Sequence, residues 1–390
     1  MLTANKKILI ITGSFGNGHI SVTNSIVNQF NQMNLPNLEV IQHDLFLEAH
    51  PIVTSLMKKW YINSYKYFRN TYKYFYYSRP DEIDKCFYKY YGLNRLINLL
   101  IKEKPDLILL TFPTPVVSLL TQEFKLNIPI ATVITDYNMQ KNWITPESSR
   151  YYVAAEQTKE QLTTIGISED AIQVTGIPID SKFELKVDRN NWLEGYGLSP
   201  AKKTLLMVAG AFGVVQGFSA MLKDMNDRAD VQFVVICGNN KRLFDELTLE
   251  FSGDNNIVVI GYTKQMDRWM SSCDLMLTKP GGITISESLC KAIPLIFFNP
   301  APGQEGENAI YFSRQGYSRI THTVAETSHV ALDLLTNESE LNKMKQQMTI
   351  DYLPSASENI CFDLIRLLNE SLIDQQLQSK VSLYAKFFAR

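Results

Sequence analysis

The sequence predicts an α/β protein made of two Rossmann-like, parallel-sheet domains that face one cleft. Two observations carry this expectation. Short apolar runs alternate with amphipathic stretches along most of the chain, the pattern of right-handed βαβ crossovers. Two glycine turns, each set between a strand and a helix, lie more than 260 residues apart: Gly13-Ser14-Phe15-Gly16-Asn17-Gly18-His19 and Lys279-Pro280-Gly281-Gly282. Glycine at such a turn lets backbone N–H groups approach a ligand, and the following helix presents its positive dipole end.

The first-half strands are expected at Lys7–Thr12, Leu38–Gln42, Asp106–Thr111, Ile128–Ile134, Arg150–Ala154 and Ile172–Thr175. Those of the second half are expected at Thr204–Ala209, Val231–Cys237, Ile257–Ile260, Asp274–Thr278 and Pro294–Phe297. Each is a short run rich in β-branched or other apolar residues, bounded by turn formers. Gly176–Lys203, with Pro178, Gly195, Gly197 and Pro200, reads as the linker. The expected domains are therefore 1–180 and 203–355, with a helical segment 356–390 after them; from about Ala325 the pattern is purely helical.

Composition narrows the function. A chain of 390 residues with 45% apolar residues and a net charge near −2 is globular and no general nucleic-acid binder. Five scattered cysteines without a C-x-x-C pair suggest reduced thiols, not a disulfide frame or a zinc site. No apolar run approaches the 18 residues of a membrane span, and no secretory signal is visible. One region departs from the neutral average. Between Glu48 and Asp81 there is no acidic residue, and Trp60–Tyr77 holds ten aromatics in 18 residues. Lys59, Lys66 and Lys73 recur every seven residues, with Trp60 and Arg69 nearby. Such amphipathic aromatics beside cations suit an anionic lipid surface, where each cation contributes about 1 kcal/mol. A core helix with wet lysines is the alternative.

The first turn has the G-x-x-x-x-G spacing of a P-loop, but His19 and Ile20 stand where its lysine and hydroxyl would be. The interest therefore moves to His19, which the helix dipole keeps neutral and able to accept a proton; it could equally cap the turn. In the second turn, Thr284-Ile285-Ser286-Glu287 fits a capping box, so Glu287 either caps the helix or receives hydroxyls of a ribose. Downstream, Gln304, Glu305 and Asn308 follow a proline-glycine loop at a strand's end, where open α/β sheets bind ligands. Asp136, after the strand Ile128–Ile134, is expected either to orient His19, to face substrate or to make an Asx turn. No D-x-D pair or His/Cys cluster occurs, so no metal site is expected.

The His19 turn, the Lys279–Gly282 turn with Glu287, and Gly303-Gln304-Glu305 with Asn308 together resemble the diacylglycerol glycosyltransferases. That family includes plant monogalactosyldiacylglycerol synthases and processive bacterial glucosyltransferases. The likeness runs end to end, and to the staphylococcal members it extends through Trp60–Arg79 and Tyr384–Phe388. The resemblance implies a GT-B fold whose last helix crosses back to the first domain. It implies inverting transfer from UDP-glucose to diacylglycerol and then to glucosyl-diacylglycerol, giving the glycolipid anchor of lipoteichoic acid. His19 is then the general base, accompanied by Asp136. Gly16, Gly18, Gly210, Lys279, Gly281, Gly282, Thr284, Glu287, Gln304, Glu305 and Asn308 make the UDP-sugar site. No cofactor is implied besides the donor substrate, and the place of action is the cytoplasmic face of an anionic membrane. N-acetylglucosaminyl transfer to a polyprenyl-linked precursor and a non-catalytic UDP-sugar sensor are the alternatives; oligomeric state stays open.

Overall fold

The computed structural model describes residues 5–58, 90–124, 126–210 and 217–370 of the chain. Among the described residues twelve strands form two six-stranded, wholly parallel sheets. The first sheet contains β1 (Lys6–Thr12), β2 (Leu38–Asp44), β3 (Leu107–Leu110), β4 (Ile130–Val133), β5 (Arg150–Val153) and β6 (Ile172–Val174). Its order is β2-β1-β3-β4-β5-β6. The second contains β7 (Lys203–Val208), β8 (Val231–Ile236), β9 (Ile257–Ile260), β10 (Leu275–Thr278), β11 (Leu295–Phe298) and β12 (Ser318–Thr321). Its order is β12-β11-β10-β7-β8-β9. The strands β3, β4, β5 and β8 are buried along their whole length, as expected where helices cover both faces of a parallel sheet.

Both sheets reverse their strand order once: between β1 and β3 in the first, between β7 and β10 in the second. Such switch points open a crevice beyond the strands' carboxyl ends. Four elements meet there. Helix α1 (Asn17–Met33) follows β1, α2 (Gly282–Cys290) follows β10, and α3 (Gln304–Arg314) follows β11. Beside α1, and facing α2 and α3, stands the segment Thr135–Asn138 that leaves β4.

The helix 356–370 packs back on the first sheet. Its Asp363 lies 3.0 Å from Arg150 Nε and accepts from Tyr152 Oη at 2.9 Å, and Cys361 Sγ approaches the Ile26 carbonyl at 3.7 Å. Arg150 and Asp363 are both 9% exposed, so this ion pair is held away from water. One hydrophobic cluster continues from Val133 and Tyr152 through Tyr137 to Phe312 and Met276.

Two sequence expectations are corrected here. A strand at Ser318–Thr321 was not foreseen, because Ser-Arg-Ile-Thr has neither an apolar run nor clean alternation. The Thr284–Glu287 capping box does not form: Gly281 is the N-cap of α2 and no side chain caps it. Thr284 already lies inside the helix. Among the described residues a reciprocal box forms instead at Thr323 and Glu326, where both bonds are present. The basic-aromatic segment with Lys59, Trp60, Lys66, Arg69 and Lys73, and the tail from 371, lie outside the described residues.

Candidate active site

A cavity of about 720 Å³ occupies the crevice between the sheets. His19 enters it from the first turn of α1, whose N-cap Gly16 is extended and has open space beside it. The ring is fixed by two strand ends. Nδ1 lies 3.0 Å from the Thr111 carbonyl oxygen beyond β3 and 3.1 Å from Thr135 Oγ1 beyond β4. A carbonyl can only accept, so Nδ1 carries the proton and Nε2 keeps its lone pair. Nε2 has no hydrogen-bond partner among the described residues. Burial pushes the imidazole down to about 4, against the raising influence of the Thr111 bond, so the ring is neutral near pH 7. Phe112 meets it edge-on at 4.8 Å and Trp143 lies at 5.8 Å.

Asp136 does not hold His19; Thr111 and Thr135 do. Asp136 is 1% exposed and turns instead to the second domain. Its Oδ1 accepts from Gln304 Nε2 at 2.5 Å and from Asn308 Nδ2 at 3.3 Å. Burial raises its carboxyl to about 6, although the bonds from Gln304, Asn308 and Trp143 pull the other way.

Across the cavity, β10 runs into Lys279-Pro280-Gly281 and α2. The Gly281 N–H donates to the Lys279 carbonyl at 2.9 Å, which closes the turn. The amides of the helix's first turn, from Gly282 on, have no intrahelical acceptor and are the ones free to meet an anion. The two glycines answer different needs. A Cβ on Gly281 would meet nothing within 4 Å, so this glycine leaves room for a ligand. A Cβ on Gly282 would stand 2.1 Å from the Thr135 carbonyl oxygen, so this glycine lets the two domains touch. Lys279 Nζ pairs with Glu305 Oε1 at 2.7 Å, and Glu305 Oε2 accepts from the Ala301 N–H at 3.3 Å. Gly210 also lines the cavity at positive φ, which a side chain rarely adopts. Glu287 lines it too; burial pushes its carboxyl up to about 8, Lys182 opposing and Asp180 and Asp267 adding.

The cavity wall thus brings together Gly16, Gly18, His19, Asp136, Gly210, Lys279, Gly281, Gly282, Thr284, Glu287, Gln304 and Glu305. It does not include Asn308, which is 0% exposed behind it. Sequence reasoning missed Thr111 and picked out Thr135 only as part of the polar cluster Thr135–Asn138, yet these two orient the histidine; it also missed the wall residues Met57, Phe112, Trp143, Tyr262 and Met266. No local pattern marks them, since their role comes from strand ends that meet only in the fold. Among the described residues no group of three or more His, Cys, Asp or Glu could hold a metal ion, and no helix is long and apolar enough to cross a membrane.

Two family models match this chain: monogalactosyldiacylglycerol (MGDG) synthase over residues 19–179, and the glycosyltransferase family 28 C-terminal domain over 209–360. A processive diacylglycerol beta-glucosyltransferase of Staphylococcus saprophyticus is 58% identical over 391 residues, covering all of both chains. Its namesake in Staphylococcus aureus strain Newman is 57% identical over the same span. Among solved structures, a UDP co-structure of S. aureus MnaA aligns with a TM-score of 0.62 at 17% identity, covering 93% of this chain and 97% of that one. Acinetobacter baumannii MurG aligns at 0.61 and 14%, covering 93% and 99%. These two likenesses establish the fold as GT-B.

Proposed function

We infer, since the chain belongs to the family of the processive diacylglycerol β-glucosyltransferases, that it moves glucose from UDP-glucose to diacylglycerol and then to the glucosyl-diacylglycerol so formed. The observation that carries this reading is the pairing, in one cavity, of a neutral His19 with a free Nε2 and of the open glycine turn that starts α2. His19 Nε2 accepts the proton of the acceptor hydroxyl as that oxygen attacks the anomeric carbon from the face opposite the diphosphate. The charge that grows on the departing diphosphate is met by the first-turn amides of α2 and by Lys279, which Glu305 holds in place. Glu287 faces the ribose and Gln304 the sugar. The donor is a substrate, and the reading calls on no cofactor.

The acceptor arrives from a lipid bilayer, so the protein works at a membrane surface, on its cytoplasmic face. Ile52, Val53 and Leu56 on the helix over 51–58 are 76%, 48% and 61% exposed, and Met57 of the same helix lines the cavity. An apolar strip that continues into the cavity supports delivery of a greasy acceptor to His19.

Incubation with UDP-glucose and diacylglycerol vesicles is expected to yield monoglucosyl and then diglucosyl lipid. Absence of glycolipid under those conditions overturns the proposal. Turnover only with UDP-N-acetylglucosamine and a polyprenyl-linked acceptor replaces it.

A further inference from the structure

Asn308 is among the most completely engaged polar side chains of the molecule. It lies one turn beyond Gln304 on α3, on the same face, but 0% exposed. Its Oδ1 accepts from the Tyr137 N–H at 3.0 Å. Its Nδ2 donates to the Pro280 carbonyl at 3.1 Å and to Asp136 Oδ1 at 3.3 Å. Both N–H donors and one acceptor position are thereby used within the protein.

These partners come from two segments, one in each domain, that must stay in register. Pro280 precedes the N-cap of α2, so its carbonyl sets the direction in which the turn and the helix amides point. Tyr137 and Asp136 leave β4 in the other domain, next to the Thr135 that orients His19. The apolar surroundings reinforce the junction: the Tyr137 ring stacks on Tyr311 at 5.1 Å and meets Phe312 edge-on at 4.9 Å, and its hydroxyl lies 3.0 Å from Ser286 Oγ on α2. One buried amide therefore ties the anion turn to the segment that orients the base.

We propose that Asn308 is a positioning residue: through Pro280 and the Asp136–Tyr137 segment it fixes the α2 turn opposite His19, and it makes no contact with the donor sugar. The proposal rests on the donor site described above. Without the amide, Pro280 O, Asp136 and the Tyr137 N–H each lose a buried partner, and the turn is no longer held against the first domain.

The test separates UDP from UDP-glucose. Asn308→Ala and the smaller perturbation Asn308→Ser are titrated with both nucleotides by calorimetry, and kcat and KM are measured on diacylglycerol vesicles. If Asn308 positions the turn, the Kd of UDP, which carries no sugar, weakens about tenfold in Asn308→Ala. The KM of UDP-glucose then rises by a similar factor and kcat falls, with Asn308→Ser between the variant and the parent. A variant that only lowers the folded fraction leaves the Kd of the folded molecules unchanged, which overturns the proposal. An unchanged UDP affinity with weakened UDP-glucose overturns it too, because that outcome marks a sugar contact. Failure of the parent protein to bind UDP at all sinks the donor-site reading itself.

Discussion

At the scale of single residues, the site depends on groups whose ionisation the fold has chosen. His19 is neutral because burial disfavours its charged form, which outweighs the opposing influence of the Thr111 bond; that bond fixes the proton on Nδ1. His19→Ala is expected to lower kcat by about 10²–10⁴-fold, the usual contribution of a general base, while calorimetry finds UDP binding intact. Retained turnover would remove it as the base. The two glycines of the α2 turn give opposite signatures. Gly281→Ala places its methyl in open space, so the melting temperature should hold while UDP affinity is weakened, because the methyl occupies ligand space. Gly282→Ala drives a methyl against the Thr135 carbonyl. It should cost about 1–3 kcal/mol of stability in denaturant titrations, together with turnover. Equal behaviour of the two variants would refute the division of labour between them.

The elements show what local sequence can and cannot reveal. Eleven strands were legible as short runs rich in apolar or β-branched residues; most are buried because both faces of a parallel sheet are covered, although Leu38–Asp44 is only partly so. The twelfth was not, because Ser318-Arg319-Ile320-Thr321 resembles loop until Phe297 and Phe298 are placed beside it. Thr284 and Glu287 satisfied a capping rule that the helix does not use, since its start was set one turn earlier by Gly281. His19 and the glycine turns could be read because strand, turn and helix are contiguous. The links from Asp136 to Gln304 and from Tyr137 to Asn308 span about 170 positions, and nothing nearby in the chain records them. At this scale the apolar strip on 51–58 is also testable. Leu56→Glu should weaken sedimentation with diacylglycerol vesicles by about tenfold or more, since a fully buried leucine contributes about 1.5–3 kcal/mol. Turnover of a short-chain acceptor in detergent should be spared; equal loss in both assays would place the defect inside the cavity.

For the molecule as a whole, Glu287 links stability to pH. In the unfolded chain its carboxyl ionises near 4.5, whereas in the folded protein burial holds the proton until about pH 8. The folded state therefore binds more protons between those values, and stability declines as pH rises through that window. His19 works the other way, since its folded value is the lower one, and its contribution fades above about pH 7 as the unfolded imidazole, with an ordinary value of 6.5, loses its proton. From about pH 7 to 8 the free energy of unfolding should thus fall by up to about 1.4 kcal/mol per unit, and Glu287→Gln should flatten the curve. An unchanged slope in that variant would exclude Glu287 as its source. The helix over 356–370, meanwhile, has a bearing on biosynthesis. Arg150, Tyr152 and the Ile26 carbonyl all look to it for partners. Roughly 200 residues separate the end of β6 from those partners, so a ribosome adding about 5–20 residues per second emits them some 10–40 s after the first sheet is complete. Through that interval Arg150 of the nascent first domain keeps its bond to the Asp170 carbonyl but lacks its carboxylate, and the apolar side chains that later pack on Ile360 and Leu364 stay uncovered, a natural point for a chaperone to attend the emerging chain.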